Sequence, residues 1–262
     1  MSRPASGRRL LVFARNPLPG RVKTRLIPSL GAVAATAVYR RLLHETLLTA
    51  VQVDNAECEI WLDEGEPVPW LADIAAAHGL AMRQQSGRDV GMRMHGAFEA
   101  SLRSTERVVL IGSDCPEFDP GYLEAAFAAL AQQDAVLGPA VDGGYLLIGL
   151  RAAPALLFED IAWGTPQVLQ ITRDRLRQLG WRWAELPPRH DIDEPGDLQR
   201  MILTGSFGSQ LNVEAVISLG MIPPVDIDAV EPSANGAGFG AALFLDDEQF
   251  ARGEKLATDA VQ

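Results

Sequence analysis

From Arg8 to Gly180 the chain alternates short apolar runs with longer stretches of helical periodicity, and this alternation limits the fold more than any other feature. The runs RRLLVFAR, CEIWLD, LAMRQQ, RVVLIGS, DAVLGPA and YLLIGL have the length and side-chain character of strands. Among and after them, VAATAVYRRLLHETLLTAV, WLADIAAAH, RMHGAFEASLR, GYLEAAFAALAQQ and PQVLQITRDRLRQLG repeat apolar residues at the three- and four-residue spacing of amphipathic helices. Strand, helix and strand in alternation predict βαβ units, and so an α/β fold with a mainly parallel sheet and helices on both faces. VVLIGS is apolar almost throughout, as a central strand covered on both faces must be. In such sheets ligands sit beyond the carboxyl ends of the strands. The loops that follow the apolar runs are therefore where chemistry is expected.

Of these loops, the one after the first strand is the most unusual. It reads ARNPLPGRVKTRL and carries two prolines, Gly20 and four cations, Arg15, Arg21, Lys23 and Arg25. Proline fixes its own backbone and restricts its predecessor, while Gly20 permits a conformation that a side chain blocks. A pre-ordered loop of this kind, with Lys23 and Arg25 beside backbone N–H groups, suits a pyrophosphate. It has neither Walker nor GxGxxG spacing, and a solvated cationic connection is the plainer alternative. Charge matters here because the chain as a whole is acidic, at a formal net charge of -11 over 262 residues. That balance disfavours nucleic acid as a partner. Nine acids and two bases lie beyond Gly205, so the rest of the chain is near neutral and a basic loop dominates its surroundings.

Four further stretches carry candidate groups. In VVLIGSDCPEFDP, Asp114 stands at the end of the buried strand, poised to bridge a hard divalent cation to a phosphate, or else to bond its own turn. Asp119 has a structural explanation as the N-cap of a helix that opens on Pro120. In GPAVDGGYLLIGL, the sequence Asp142-Gly143-Gly144 reads first as a hairpin turn, and the turn would lie on the same rim. In RHDIDEPGDL, Asp191 and Asp193 face one side if the segment is extended; Asp193 is either a second metal ligand or a helix cap. In QQSGRDVGMRMHGAF, Gly87, Asp89 and Gly91 leave room for a base or ribose. The histidines at 44, 78, 95 and 190 lack metal-ligand spacing, and Cys58 and Cys115 make no disulfide framework. Without an apolar leader or a membrane-length apolar run, the expected location is cytoplasmic with no membrane span.

In order along the chain, FARNPLPGRVKTRL, GRDVGMRM, GSDCP, GPAVDGGYLLIGL, WGTPQVLQIT and HDIDEPGDL resemble the motifs of the small bacterial GT-A-fold transferases related to molybdopterin and 2-phospholactate guanylyltransferases. That group includes glycosyltransferases of arsenosugar biosynthesis. The resemblance spans roughly residues 8–203. It implies a nucleotide-diphospho-sugar transferase fold and a divalent metal, Mg²⁺ or Mn²⁺, at Asp114; the residues themselves offer Asp193 as second ligand, with Asp191 as the alternative. It puts Lys23 and Arg25 at the nucleotide's phosphates; Arg15, Gly20, Asp89, Gly91, Arg93, Gly143 and Gly144 are the further residues expected to bind substrate or nucleotide. Lys23 and Asp142 are the expected catalytic residues, Asp142 orienting the acceptor or donor sugar or acting as a general base. The implied partners are a nucleotide-activated donor and a small acceptor. Glycosyl transfer is the leading reaction, nucleotidyl transfer the alternative, and a non-catalytic nucleotide sensor the reading from another class.

Two domains are expected, 1–204 carrying the transferase and 205–262 a non-catalytic appendage. The appendage, with SANGAGFGAAL and an acidic terminal helix, resembles a fragment of the ATPase-like domain of corrinoid-activating ferredoxins. Its apolar residues need cover, from the main domain or from a second copy of the chain in a homo-oligomer.

Overall fold

The computed structural model describes residues 7–197 and two short strands at 201–204 and 230–233. Its strands are β1 (Arg8–Ala14), β2 (Glu57–Leu62), β3 (Ala81–Gln84), β4 (Arg107–Ile111), β5 (Ala135–Pro139), β6 (Tyr145–Leu150), β7 (Trp183–Glu185), β8 (Met201–Thr204) and β9 (Val230–Ser233). Its α-helices are α1 (Ile27–Leu30), α2 (Ala32–Ala50), α3 (Pro69–His78), α4 (Val90–Leu102), α5 (Pro120–Ala129) and α6 (Val168–Gln178). Among the described residues no helix is long and apolar enough to cross a membrane.

The chain forms two compact units. The first comprises the chain up to Asn16 together with Leu42–Asp191. It holds a seven-stranded sheet in the order β3-β2-β1-β4-β6-β5-β7. Strands β3, β2, β1 and β4 run parallel, β6 runs antiparallel to both β4 and β5, and β7 is parallel to β5. All six expected strands are present, and the turn at Asp142 joins β5 to β6 as a hairpin. Only an antiparallel neighbour can be reached by so short a turn, which is why β6 breaks the parallel run. Strand β7 was not foreseen. Its three residues show no alternation of their own, and it pairs with β5 only after the α6 crossover returns the chain to the sheet.

Every residue of β4 from Val108 to Ile111 is buried, as a strand covered on both faces requires. On one side the core gathers Phe98 and Met94 of α4, Leu110, Leu137 and Ile148 of the sheet, and Phe158. Phe98 and Phe158 pack at 5.9 Å between ring centroids. Asp119 caps α5 as expected, its carboxylate accepting the Tyr122 N–H at 2.8 Å with Pro120 in the first turn.

The second unit comprises Pro17–Arg41 and the described residues from Ile192 onward. After Gly20 (φ +82°) the chain passes through a 3₁₀ turn, Thr24–Leu26, into α1, and Val22, Leu26, Val38 and Tyr39 are buried. Further on, β8 pairs in parallel with β9, so strand 201–204 finds its partner beyond residue 204. The glycine-rich stretch from residue 234 and the expected terminal helix lie outside the described residues.

Candidate active site

In the first unit the carboxyl ends of β1, β4 and β5 share one rim with the β5–β6 turn. Gly112, just past β4, donates its N–H to the Leu146 carbonyl at 3.1 Å and so ties the Asp114 loop to the start of β6. The segment after β7 is drawn to the same place by its backbone. Arg189 donates to the Pro139 carbonyl at 3.0 Å, and Val141 donates back to the Arg189 carbonyl at 3.2 Å. Side chains complete the clamp. The Tyr122 hydroxyl donates to the Pro187 carbonyl at 3.0 Å, and the Glu117 carboxylate accepts the His190 N–H at 3.2 Å. Asp191 therefore arrives beside Asp114, with carboxylate oxygens within 4.8 Å of each other and both side chains half-buried. Two carboxylates this close repel each other, and together they could hold a metal ion. The sequence left Asp191 and Asp193 as alternatives for the ligand beyond Asp114, and this geometry makes Asp191 a candidate in its own right.

Between these groups Cys115 is buried, and its thiol is pushed up from its ordinary 9.0 to about 12. Loss of hydration is the main cause; the carboxylates of Glu117, Asp114 and Asp191 add to it, and a backbone hydrogen bond at Glu117 opposes it. A raised value means less thiolate at any given pH. At pH 8 the nucleophilic fraction falls from about one in ten to about one in ten thousand. Native protein is therefore expected to resist iodoacetamide at Cys115 and to react once unfolded in urea, as peptide mass mapping would show. Rapid alkylation of native Cys115 would overturn this.

The Asp142-Gly143-Gly144 turn is self-bracing, since the Asp142 Oδ1 accepts the Gly144 N–H at 3.0 Å. Gly143 has φ +96°, and a β-carbon there would lie 2.3 Å from the Pro166 carbonyl oxygen. Its carbonyl accepts the Leu169 N–H at 3.1 Å. Asp89 caps α4 through the Met92 N–H at 2.9 Å, and the Arg93 Nε donates to the Gly87 carbonyl at 3.2 Å. At Gly91 a β-carbon would sit 2.5 Å from the Trp163 indole, so this glycine makes room for a tryptophan of the chain itself. Trp163 was not singled out from sequence, although WGTPQ stood among the ordered motifs. Arg15 is exposed at the end of β1.

In the second unit, Lys23 and Arg25 converge on one carboxylate. Lys23 Nζ lies 2.9 Å from Asp193 Oδ1, and Arg25 Nη1 lies 3.1 Å from Asp193 Oδ2. The Asp193 and Glu194 N–H groups donate to Asp197 at 2.8 and 2.7 Å.

The sheet order, its antiparallel member and the rim of acidic loops define the GT-A class of transferases. A solved protein from Desulfovibrio desulfuricans, provisionally named a nucleotide-diphospho-sugar transferase, is 32% identical with a TM-score of 0.69, over 74% of this chain and 85% of that one. The chain belongs to the family of that protein, and residues 46–165 match the model described as an uncharacterized protein conserved in bacteria, DUF2064. It is by class a transferase. More distant structures share the fold. The inositol-1-phosphate CTP transferase of T. maritima is 14% identical with a TM-score of 0.51, over 82% of this chain and 95% of that one. The 4-diphosphocytidyl-2C-methyl-D-erythritol synthase of Anaerococcus prevotii is 11% identical with a TM-score of 0.50, over 74% and 94%. Residues 190–261 match a different model, the C-terminal ASKHA domain of RACo, in line with the resemblance expected for the appendage. No curated protein matches the chain in sequence at a significant level.

Proposed function

We propose that the protein transfers a glycosyl group from a nucleoside diphosphate sugar to a small acceptor, with Mg²⁺ or Mn²⁺ as cofactor. The observation that carries the reading is the Asp114–Asp191 carboxylate pair at the rim of a GT-A sheet, in a chain 32% identical to a protein provisionally named a nucleotide-diphospho-sugar transferase. Asp114 and Asp191 hold the ion. Asp193, two residues from Asp191 along the chain, is the third carboxylate proposed for it. When bound, the ion supplies positive charge to the donor's diphosphate.

The protein's own groups then have distinct roles. Lys23 and Arg25 receive the phosphates and offset the charge that grows on the leaving group. Asp89, Gly91, Arg93, Gly143 and Gly144 border the nucleotide, and Arg15 and Gly20 belong to the phosphate loop. Asp142, fixed by its own turn, orients the acceptor or takes its proton. The domain from 205 onward has no part in the transfer.

The test is incubation with a panel of nucleoside diphosphate sugars, nucleoside triphosphates with sugar phosphates, and small acceptors, with Mn²⁺. Release of nucleoside diphosphate is the expected result. Release of pyrophosphate would assign nucleotidyl transfer instead, and tight binding without turnover across the panel would make the protein a sensor.

A further inference from the structure

Both oxygens of the Asp193 carboxylate are engaged, one by Lys23 at 2.9 Å and the other by Arg25 at 3.1 Å. The two ends of this pairing differ in exposure. The Lys23 side chain is 5% exposed and that of Asp193 42% exposed. The ammonium is covered, while the carboxylate it bonds is open to water. Lys23 itself has φ +45°, a left-handed conformation that a residue with a β-carbon rarely adopts. Thus the backbone of the loop is held in an unusual form while its ammonium rests on an internal anion. All three residues belong to the second unit.

A carboxylate that bridges two cations with its two oxygens has the charge sign and the reach of two phosphate oxygens. We propose that Asp193 is a built-in competitor for the donor's phosphates: it fills the anion position between Lys23 and Arg25, and a phosphate reaches both cations only by displacing it. The inference rests on the reading of this loop as a phosphate site. Its consequence is selectivity. A tethered monoanion is present at high effective concentration, so singly charged metabolites displace it poorly. A diphosphate, with more charge and more oxygens, displaces it well.

The test is calorimetric titration of the full chain with inorganic pyrophosphate in EDTA, so that no divalent ion bridges the two. Asp193→Asn should bind about tenfold tighter than wild type or better, as expected for removal of a charge-assisted competitor. The double variant Lys23→Gln/Asp193→Asn should lose that gain. Asp193→Asn binding no tighter than wild type would overturn the inference while leaving the phosphate-loop reading intact. No binding of pyrophosphate by either protein would overturn both. Because Asp193→Asn leaves a covered ammonium without this counter-charge and can unfold, a second measurement uses wild type alone. A crystal structure with pyrophosphate bound should show Lys23 Nζ on phosphate oxygen and Asp193 withdrawn. Pyrophosphate bound on the loop with the Lys23–Asp193 pair still in place would overturn the inference.

Discussion

Asp114→Ala is expected to lower Mn²⁺ affinity by roughly a hundredfold or more, and metal-dependent turnover by about a thousandfold, with the fold intact. The reason is electrostatic. Asp114 and Asp191 hold their carboxylates within 4.8 Å, a separation that costs repulsion unless a cation lies between them. Removal of one carboxylate relieves the repulsion, so the melting temperature should hold or rise slightly even as the site fails. Mn²⁺ binding read by electron paramagnetic resonance does not depend on knowing the substrate, and turnover follows once the panel has named a donor. A variant that binds Mn²⁺ within a few-fold of wild type would show that the ion, if any, is held elsewhere.

Gly143→Ala should cost about 2–4 kcal/mol of stability. Two penalties coincide there. The backbone at φ +96° disfavours any β-carbon, and that atom would meet the Pro166 carbonyl oxygen at 2.3 Å and the Pro166 Cα at 2.8 Å. Both neighbours are main chain, and the Leu169 N–H bond to the Gly143 carbonyl limits how far the turn can retreat. For a chain of this size the loss corresponds to a fall of roughly 5–15 °C in melting temperature. Gly144→Ala is the control. A β-carbon there lies 3.3 Å from Asp142 Oδ1, a side-chain atom at an exposed turn, so the shift should be small. Equal melting temperatures for the two variants would remove the structural reason given for Gly143.

Much of the fold was legible in the residues because its signals are local. A run such as VVLIGS declares a strand buried on both faces, and Asp119-Pro120 declares a helix start, each within a few positions. Asp114 was legible for the same reason: a carboxylate directly after a buried strand must emerge at the strand's carboxyl end. The short turn at Asp142-Gly143-Gly144 likewise implied the antiparallel β6. Strand β7 was not legible, since its pairing with β5 depends on where the α6 crossover lands. Nor was the closeness of Gly91 to the Trp163 indole, seventy-two positions away in the sequence.

By itself, then, the sequence determined the α/β architecture, the rim at the carboxyl ends of the strands, and the candidate residue types along the chain: a stiff basic loop, a strand-end aspartate, a glycine turn and an Asp-x-Asp segment. These follow from periodicity, burial and turn chemistry, which act over fewer than about ten residues. Tertiary structure alone decided the partners. Asp191 joins Asp114 because Arg189, Pro187 and His190 are pinned to β5, α5 and Glu117. Lys23 meets Asp193 across 170 residues of chain. Electrostatic and steric pairing depends on distance in space, and no local pattern encodes that distance before the backbone hydrogen bonds of the sheet and its loops have set it.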